Sequence, residues 1–580
     1  MVPGFAATLT AQPVSEGVNA SVSPIAKSVQ IVVHNEVVSK INPNLFGQFM
    51  ERAFAEPGPE GALISGTNQL RPEIADKIQS MDIPVIRFPG GTDVDFLDWR
   101  NLIDRVPGRN GGRPVSKNVK GQEMPNRFGF DEYFTQVRDR SGCKTILVLN
   151  FLDAVAGYKP MKQAALDSCG LLAYANAAQG QKLPDGMPNW PAVRAANGHP
   201  APFGTDYIQI GNETFTGNFS DPAQNGWPGK SPEEMAAFYH ECLREYIRVI
   251  REIDSKVAII IDLRMPFGAA RRVYEDPYIL KNVSLMASHV YQMGPMTELT
   301  GKDGKIYPAS AFSQEDIWNY WTMIPTWAGE GLADHIPREE PGLKQGLKIA
   351  CTEWNWNRWS YEKMTPQPPF FWELPAAIGV ARHLHGMIRA GDRLALGTQS
   401  MLVGSKWNFA AVRFDDPSGF TPYFSPQGAV TNFYRHTIGK EQLQLDFVNG
   451  LETLRIQLPS DSGTFPAGAA LDPLASRNGD RLLIHIVNRY RQNPVDFEVA
   501  FEGFTKLPRE VRLHQLSGEL IKRKNPHQEL LEHRISSVQL SGRSGTFHLD
   551  KPGVYLIEVP LAPSRTYRPF TRKYPQINAK

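Results

Sequence analysis

Tyr207-Ile208-Gln209-Ile210-Gly211-Asn212-Glu213 decides the reading of this chain. Alternating, partly β-branched residues end abruptly in Gly-Asn-Glu. That pattern predicts a short buried strand with a carboxylate at its C-terminal tip. Leu347-Lys348-Ile349-Ala350-Cys351-Thr352-Glu353-Trp354 repeats it. Two strands that each end in Glu are what a carboxylate-pair hydrolase needs. The rest of the chain is therefore read as the scaffold that brings Glu213 and Glu353 together.

Outward from these two runs, strands and helices alternate. Before Glu213, strands are predicted at Leu45–Glu51, Pro84–Phe88 and Thr145–Phe151, with helices near Arg71–Met81, Phe130–Arg140 and Lys162–Ala178. After it, Ser231-Pro232 with Glu234 forms a capping box that starts a helix running to about Ile253. Strands at Val257–Leu263 and Val283–Tyr291 follow, with a helix near Ala270–Lys281 between them. A long Trp- and Gly-rich segment then leads to the Glu353 strand, a helix over Glu373–Ala390 and a last run at Leu394–Val403. Eight strands alternating with helices predict an α/β protein built on a (β/α)8 barrel.

Past about residue 440, short period-two runs are separated by Gly, Pro, Asn and Asp turns. They lie at Gln442–Val448, Leu454–Leu458, Arg481–Val487, Val495–Phe501, Glu510–His514, Ser537–Leu540 and Val554–Val559. They predict an all-β sandwich of jelly-roll type. Val29, Ile31 and Val33 alternate in the same way and are assigned to that sheet. The expected organisation is a disordered lead-in over 1–28, a strand at 29–40 joining the sandwich, a barrel over 41–440, and the sandwich with a basic irregular tail over 441–580.

Composition removes several classes. The 580 residues are 41% hydrophobic and 21% charged, with a formal net charge of +2 and no long charged run. Nothing in that balance calls for nucleic acid or a charged membrane surface. No apolar stretch is long enough for a membrane span. Cys143, Cys169, Cys242 and Cys351 form no CxxC pair, so neither a zinc knuckle nor a redox motif is indicated. His383 and His385, two apart on a helix, do not share a face. Neither a Gly-x-Ser-x-Gly elbow nor a P-loop occurs. A metal-dependent hydrolase and a serine hydrolase are therefore poorly supported.

In a barrel, the chemistry sits at the C-terminal ends of the strands. Those ends carry Glu51, Arg87, Asn150, Asn212 with Glu213, His289 with Tyr291, Glu353, and Gln399. Paired carboxylates can run glycoside hydrolysis. One protonates the leaving oxygen, and the other attacks the anomeric carbon or activates water. Asn212 can bind substrate without adding charge. Arg87, His289 and Tyr291 are candidates to keep a nucleophile ionised. Trp354, Trp356 and Trp359, with Trp99, Trp318, Trp321 and Trp327, are candidate stacking faces for sugars or, alternatively, core.

These motifs resemble the clan A retaining glycosidases, and most closely glycoside hydrolase family 51, the α-L-arabinofuranosidases. The resemblance is carried by Phe46-Gly47-Gln48-Phe49-Met50-Glu51, Arg87-Phe88-Pro89-Gly90-Gly91, Phe128-Gly129-Phe130-Asp131-Glu132-Tyr133, Asn197-Gly198-His199-Pro200, Ile210-Gly211-Asn212-Glu213, His289-Val290-Tyr291, Thr352-Glu353-Trp354-Asn355 and Thr398-Gln399. It implies Glu213 as acid/base, Glu353 as nucleophile, a covalent glycosyl-enzyme and release of terminal α-L-arabinofuranosyl residues. It also implies a sugar subsite lined by Glu51, Arg87, Asn212, Tyr291 and Gln399, in an enzyme with no metal and no organic cofactor. A carbohydrate substrate is the expected partner, and a homo-oligomer is the one protein partner the resemblance suggests. Polysaccharide substrates lean towards an exported enzyme.

The chain departs from the family pattern at Thr92-Asp93, where Asn or Cys is usual, and at Thr352, where Asp is common before the nucleophile. Gly404-Ser405-Lys406-Trp407 and the Trp-rich stretch from Ile317 to Trp327 also differ. Thr92 and Asp93 touch the expected sugar-binding floor. The alternatives are therefore an endo-β-glucanase, β-xylosidase or β-galactofuranosidase of the same clan, and a non-catalytic carbohydrate-binding protein.

Overall fold

The computed structural model describes residues 27–52, 58–118, 121–292, 296–300, 304–323, 340–357, 373–405, 409–414, 421–459, 463–518 and 531–561. The basic tail, Trp327, Trp359, Trp407 and nearly all of the lead-in lie outside them. Strand β1 (Lys27–Lys40) opens the described chain and belongs to a second sheet. The eight barrel strands are β2 (Gly47–Phe49), β3 (Val85–Phe88), β4 (Lys144–Leu149), β5 (Tyr207–Ile210), β6 (Ala258–Asp262), β7 (Leu285–Gln292), β8 (Lys348–Trp356) and β9 (Leu394–Ser400). Each pairs in parallel with the next, and β9 closes onto β2 through Thr398–Gly47 and Ser400–Phe49. The result is a closed eight-stranded parallel barrel, as the alternation predicts. Its strands are buried on both faces, which is why they read as near-continuous apolar runs.

Helices α1 (Pro72–Gln79), α2 (Met161–Asn176), α3 (Pro232–Ile253), α4 (Glu373–Arg389) and α5 (Pro426–Thr437) cover the barrel. The capping box at α3 forms, with Ser231 accepting from the Glu234 N–H and the Glu234 carboxylate accepting from the Ser231 N–H. The single helix expected near Ala270–Lys281 is instead two, Ala270–Tyr274 and Pro277–Asn282. Pro277 has no N–H to continue a helix, and Asp276 caps the second one. The segment near Phe130–Arg140 is helical throughout, but it passes through a π-helical stretch at Tyr133–Arg138. Helix α5 was not anticipated, although Ser425-Pro426 opens it with the same cap-and-proline signal as α3.

The C-terminal region is all-β. Strands β10 (Glu441–Asn449), β11 (Leu471–Asn478), β12 (Arg481–Asn488), β13 (Val495–Glu502), β14 (Glu510–Ser517), β15 (Glu532–Gln539), β16 (Ser544–Leu549) and β17 (Gly553–Pro560) join β1. They form one continuous nine-stranded sheet in the order β15-β14-β17-β12-β11-β10-β1-β13-β16. β1 lies antiparallel to β10 and parallel to β13, burying Val29, Ile31 and Val33. Thr453–Gln457 is not part of it and pairs only with Thr464–Ala469. Strand β11 was not anticipated, because Asp472-Pro473 interrupts its apolar run.

Barrel and sheet meet across a polar, buried seam. Arg389 and His385 of α4 face Asp472 of β11, at 2.5 and 3.3 Å. Arg489 donates to the Asn319 carbonyl at 2.8 Å and to Thr322 Oγ1 at 3.0 Å, while the Trp318 indole donates back to the Arg489 carbonyl at 2.8 Å. A buried guanidinium with this many acceptors fixes the register between the two layers.

Candidate active site

The barrel brings Glu213 and Glu353 to one rim. Each uses a local irregularity to do so. Strand β5 ends at Ile210, and the chain turns through Gly211 at φ +74°. A Cβ on Gly211 would lie 2.9 Å from Thr214 and 3.2 Å from Phe151, so the turn requires glycine. Glu213 itself is left-handed, at φ +47°, a conformation that non-glycine residues adopt rarely. In β8, Cys351 pairs with Ser288 and Glu353 with His289, leaving Thr352 as an extra residue. This bulge turns both Thr352 and Glu353 towards the barrel interior.

Arg87 is the centre of the polar network. Its Nη1 donates to Glu353 Oε1 at 2.7 Å, its Nη2 to Asn212 Oδ1 at 2.7 Å, and its Nε to Gln209 Oε1 at 2.9 Å. The guanidinium lies 4.6 Å over the Phe49 ring. The Tyr291 hydroxyl lies 2.8 Å from Glu353 Oε2 and 2.7 Å from Ser400 Oγ. Donors at both oxygens are what a carboxylate, rather than a carboxylic acid, can satisfy. Burial first, and then the charge of Glu353, push Tyr291 well above the usual phenol range, so it stays a donor.

Glu213 accepts from a different partner. Its Oε1 is 2.9 Å from His289 Nδ1, and His289 Nε2 is 3.0 Å from Thr352 Oγ1. Burial works to raise the Glu213 carboxyl, but the His289 contact outweighs it and holds it below the usual range. Burial likewise works to lower His289, and the charges of Glu353 and Glu213 raise it above the usual imidazole value. The resting pair is an imidazolium facing a carboxylate. One proton is thus stored 2.9 Å from the group expected to deliver it.

Glu51 sits beside them and accepts from the Gly91 N–H at 3.1 Å. Burial, then the charges of Glu353 and Asp93, push it well above the usual carboxylate range. Gly91 forms the floor between the acids. A Cβ there would stand 3.1 Å from Glu353 Oε1 and 3.2 Å from Glu51 Oε1. Asp93 is buried within charge range of Glu51, and Thr92 is half-buried at the start of the same short turn, Thr92–Phe96. Gln399 is fully buried, with its Oε1 accepting from Gln48 at 3.1 Å.

Three sequence candidates lie elsewhere. Asn150 donates to the Asp95 carbonyl and accepts from the Asp153 N–H, both at 3.0 Å, so its amide ties a turn. Trp354 and Trp356 are fully buried and face α4, with ring centroids 4.9 and 5.8 Å from His383. They are core side chains, and no open face remains for a sugar. The bulge sets this outcome, because once Glu353 points inward, Trp354 must point out. Trp99, Trp318 and Trp321 are buried in the same sense. Conversely, Gln48, Gln209, Gly91 and Ser400 belong to the network and were not named as site residues, and Thr352, noted only as a departure, joins it. Gln48 and Gln209 do carry a sequence signal, as lone amides inside otherwise apolar strands.

Glu213, His289 and Glu353 each place a ligand-type atom within 4.8 Å of the other two. Such a trio could bracket a cation by distance alone. Its chemistry fits a proton better: Arg87 donates to Glu353, Tyr291 to the other oxygen, and His289 is committed at both nitrogens. A buried guanidinium beside the carboxylate opposes a second positive charge.

Residues 77–294 match the family model described as the alpha-L-arabinofuranosidase 1 domain. The chain is 24% identical over 499 residues to the intracellular exo-alpha-(1->5)-L-arabinofuranosidase of Streptomyces lividans, covering 80% of this chain and 65% of that protein. Its fold superposes on the family 51 α-L-arabinofuranosidase of Thermotoga petrophila with a TM-score of 0.66 at 18% identity, over 92% of this chain and 100% of that one. The Thermotoga maritima α-L-arabinofuranosidase, solved as an arabinose complex, gives a TM-score of 0.65 at 19% identity with the same coverage. Over residues 77–294 the chain is similar to the α-L-arabinofuranosidases, and its fold is the one these family 51 structures have.

Proposed function

We propose that the protein is a retaining glycoside hydrolase that releases terminal α-L-arabinofuranosyl residues through a covalent glycosyl-enzyme. The observation that carries this reading is the spacing of the two acids. Glu213 and Glu353 approach within 4.8 Å. Retaining enzymes hold their carboxyls about 5–5.5 Å apart, whereas inverting ones leave about 6.5–9.5 Å for a water. Glu353, bonded at its two oxygens by Arg87 and Tyr291, attacks the anomeric carbon. Glu213 takes the proton shared with His289 and passes it to the leaving oxygen. It then removes a proton from the water that releases the sugar. Arg87, Asn212 and Glu51 bind the sugar hydroxyls, and Gly91 leaves the ring room to lie between the acids.

A panel of p-nitrophenyl glycosides tests the reading, with α-L-arabinofuranoside, β-D-galactofuranoside, β-D-xyloside and β-D-glucoside as substrates. Release from the arabinofuranoside alone, abolished in Glu353→Ala, is the expected result. No release from any of them sinks it. Asp93 beside Glu51 favours one second reading, a furanoside with a further hydroxyl such as β-D-galactofuranose. Export and self-association belong to the same proposal. Among the described residues no helix is long and apolar enough to cross a membrane. Fractionation of producing cells and light scattering of the purified chain test those two points.

A further inference from the structure

Two buried aspartates grip the main chain on either side of Glu213. Asp95, 3% exposed, accepts from the Asn212 N–H through Oδ2 at 3.3 Å and from the Phe151 N–H through Oδ1 at 3.0 Å. It therefore bridges the C-terminal ends of β4 and β5. Asp262, 1% exposed at the end of β6, accepts from the Thr214 N–H at 2.7 Å. The residue between the gripped amides is the left-handed Glu213. A buried carboxylate is costly in an apolar interior, so two placed against adjacent peptide groups need a compensating role. Neither contacts Arg87, Tyr291 or Glu353 through any hydrogen bond described for those residues.

We propose that Asp95 and Asp262 are positioning residues for Glu213, a pair of carboxylate clamps that hold its strained backbone so that its carboxyl meets His289 and the leaving oxygen. The inference rests on the acid/base role proposed above for Glu213. Without either clamp, the turn after Gly211 relaxes towards an ordinary backbone conformation and the carboxyl swings away from His289 Nδ1. Glu353, held by other partners, keeps its place. Loss of a clamp therefore weakens proton transfer and leaves nucleophilic attack intact.

Leaving-group dependence separates these two. A dinitrophenyl leaving group departs without a proton, whereas phenoxide needs one. The experiment measures kcat and kcat/KM of the full chain, Asp95→Asn and Asp262→Asn on phenyl and dinitrophenyl α-L-arabinofuranosides. Each Asn keeps the shape but turns an N–H donor, or a single oxygen, towards an amide that needs an acceptor. The expected result is a loss of at least about 20-fold in kcat/KM on the phenyl substrate and less than about threefold on the dinitrophenyl one. On the latter, kcat and KM should fall together as the glycosyl-enzyme accumulates. Melting temperatures within about 5 °C of the parent qualify a variant, and two variants on different strands guard against one that misfolds. Equal losses on both substrates, or none, overturn the clamp. A parent enzyme inactive on both substrates overturns the proposed function instead, and the clamp, which rests on it, falls with it.

Discussion

Arg87 Nη1 lies 2.7 Å from Glu353 Oε1, and the arginine side chain has no exposed surface. The pair is held by a planar fork that also serves Asn212 and Gln209. Lysine carries the same charge but cannot reach three acceptors in fixed directions. Arg87→Lys should therefore lower kcat/KM on an aryl arabinofuranoside by about 10²–10³-fold, equivalent to about 3–4 kcal/mol of transition-state binding. Steady-state kinetics check this, and a loss under threefold would show that charge alone suffices.

Gly91 is the second sensitive position. Its missing side chain keeps about one methyl group of space open between Glu51 and Glu353. Gly91→Ala retains the N–H that Glu51 accepts, but its Cβ crowds both carboxyl ends. Displacements of a few tenths of an ångström at a reacting pair are costly, so kcat/KM should drop about 10–100-fold. The melting temperature should barely change, because the crowded atoms are ends of side chains. Unaltered kinetics would mean that the sugar does not pass over this glycine.

The strand tips that carry Glu51, Arg87, Glu213, His289, Tyr291, Glu353 and Gln399 were legible because apolar runs stop sharply at polar residues. What the runs could not show was direction. The bulge at Thr352 has no compositional mark, yet it decides that Glu353 faces in and that Trp354 faces α4. Asn150 stands at a tip like the others, but it is diverted by the Asp95 carbonyl, a contact from a distant turn. Asp95 and Asp262 carry no distinguishing mark in the sequence. Only their burial against main-chain amides separates them from solvated carboxylates. The departure at Thr352 also gains meaning only in three dimensions, where its hydroxyl meets His289 Nε2.

In the proposed mechanism His289 and Glu213, 2.9 Å apart, share the proton that goes to the leaving oxygen. Because the charges of Glu353 and Glu213 raise His289 above 6.5, the pair keeps that proton to higher pH than free imidazole would. The alkaline limb of kcat/KM should accordingly lie above pH 6.5 in the parent. In His289→Gln the proton is held by Glu213 alone, and the limb should move to lower pH. A pH–rate profile from 4 to 9 decides it, and an unmoved limb would assign the proton to another group.

Acid should loosen the packing around α4 behind the site. Burial pushes His383 down to about 3. Burial also lowers His385, against the pull of Asp472, and lowers His485 well below its usual value. All three are fully buried. Their folded pKa values are depressed, so the unfolded chain binds protons that the folded one refuses. The stability these three contribute is complete above about pH 6.5 and falls as the pH drops below it. His383 alone should cost about 2 kcal/mol at pH 5, with a slope of about 1.4 kcal/mol per pH unit. Denaturant titrations between pH 7.5 and 5 measure the slope. His383→Phe, which can still pack on Trp354 and Trp356, should reduce it by about one proton's worth. An unchanged slope in that variant would place the acid sensitivity at His385, His485 or the Asp472 contacts instead.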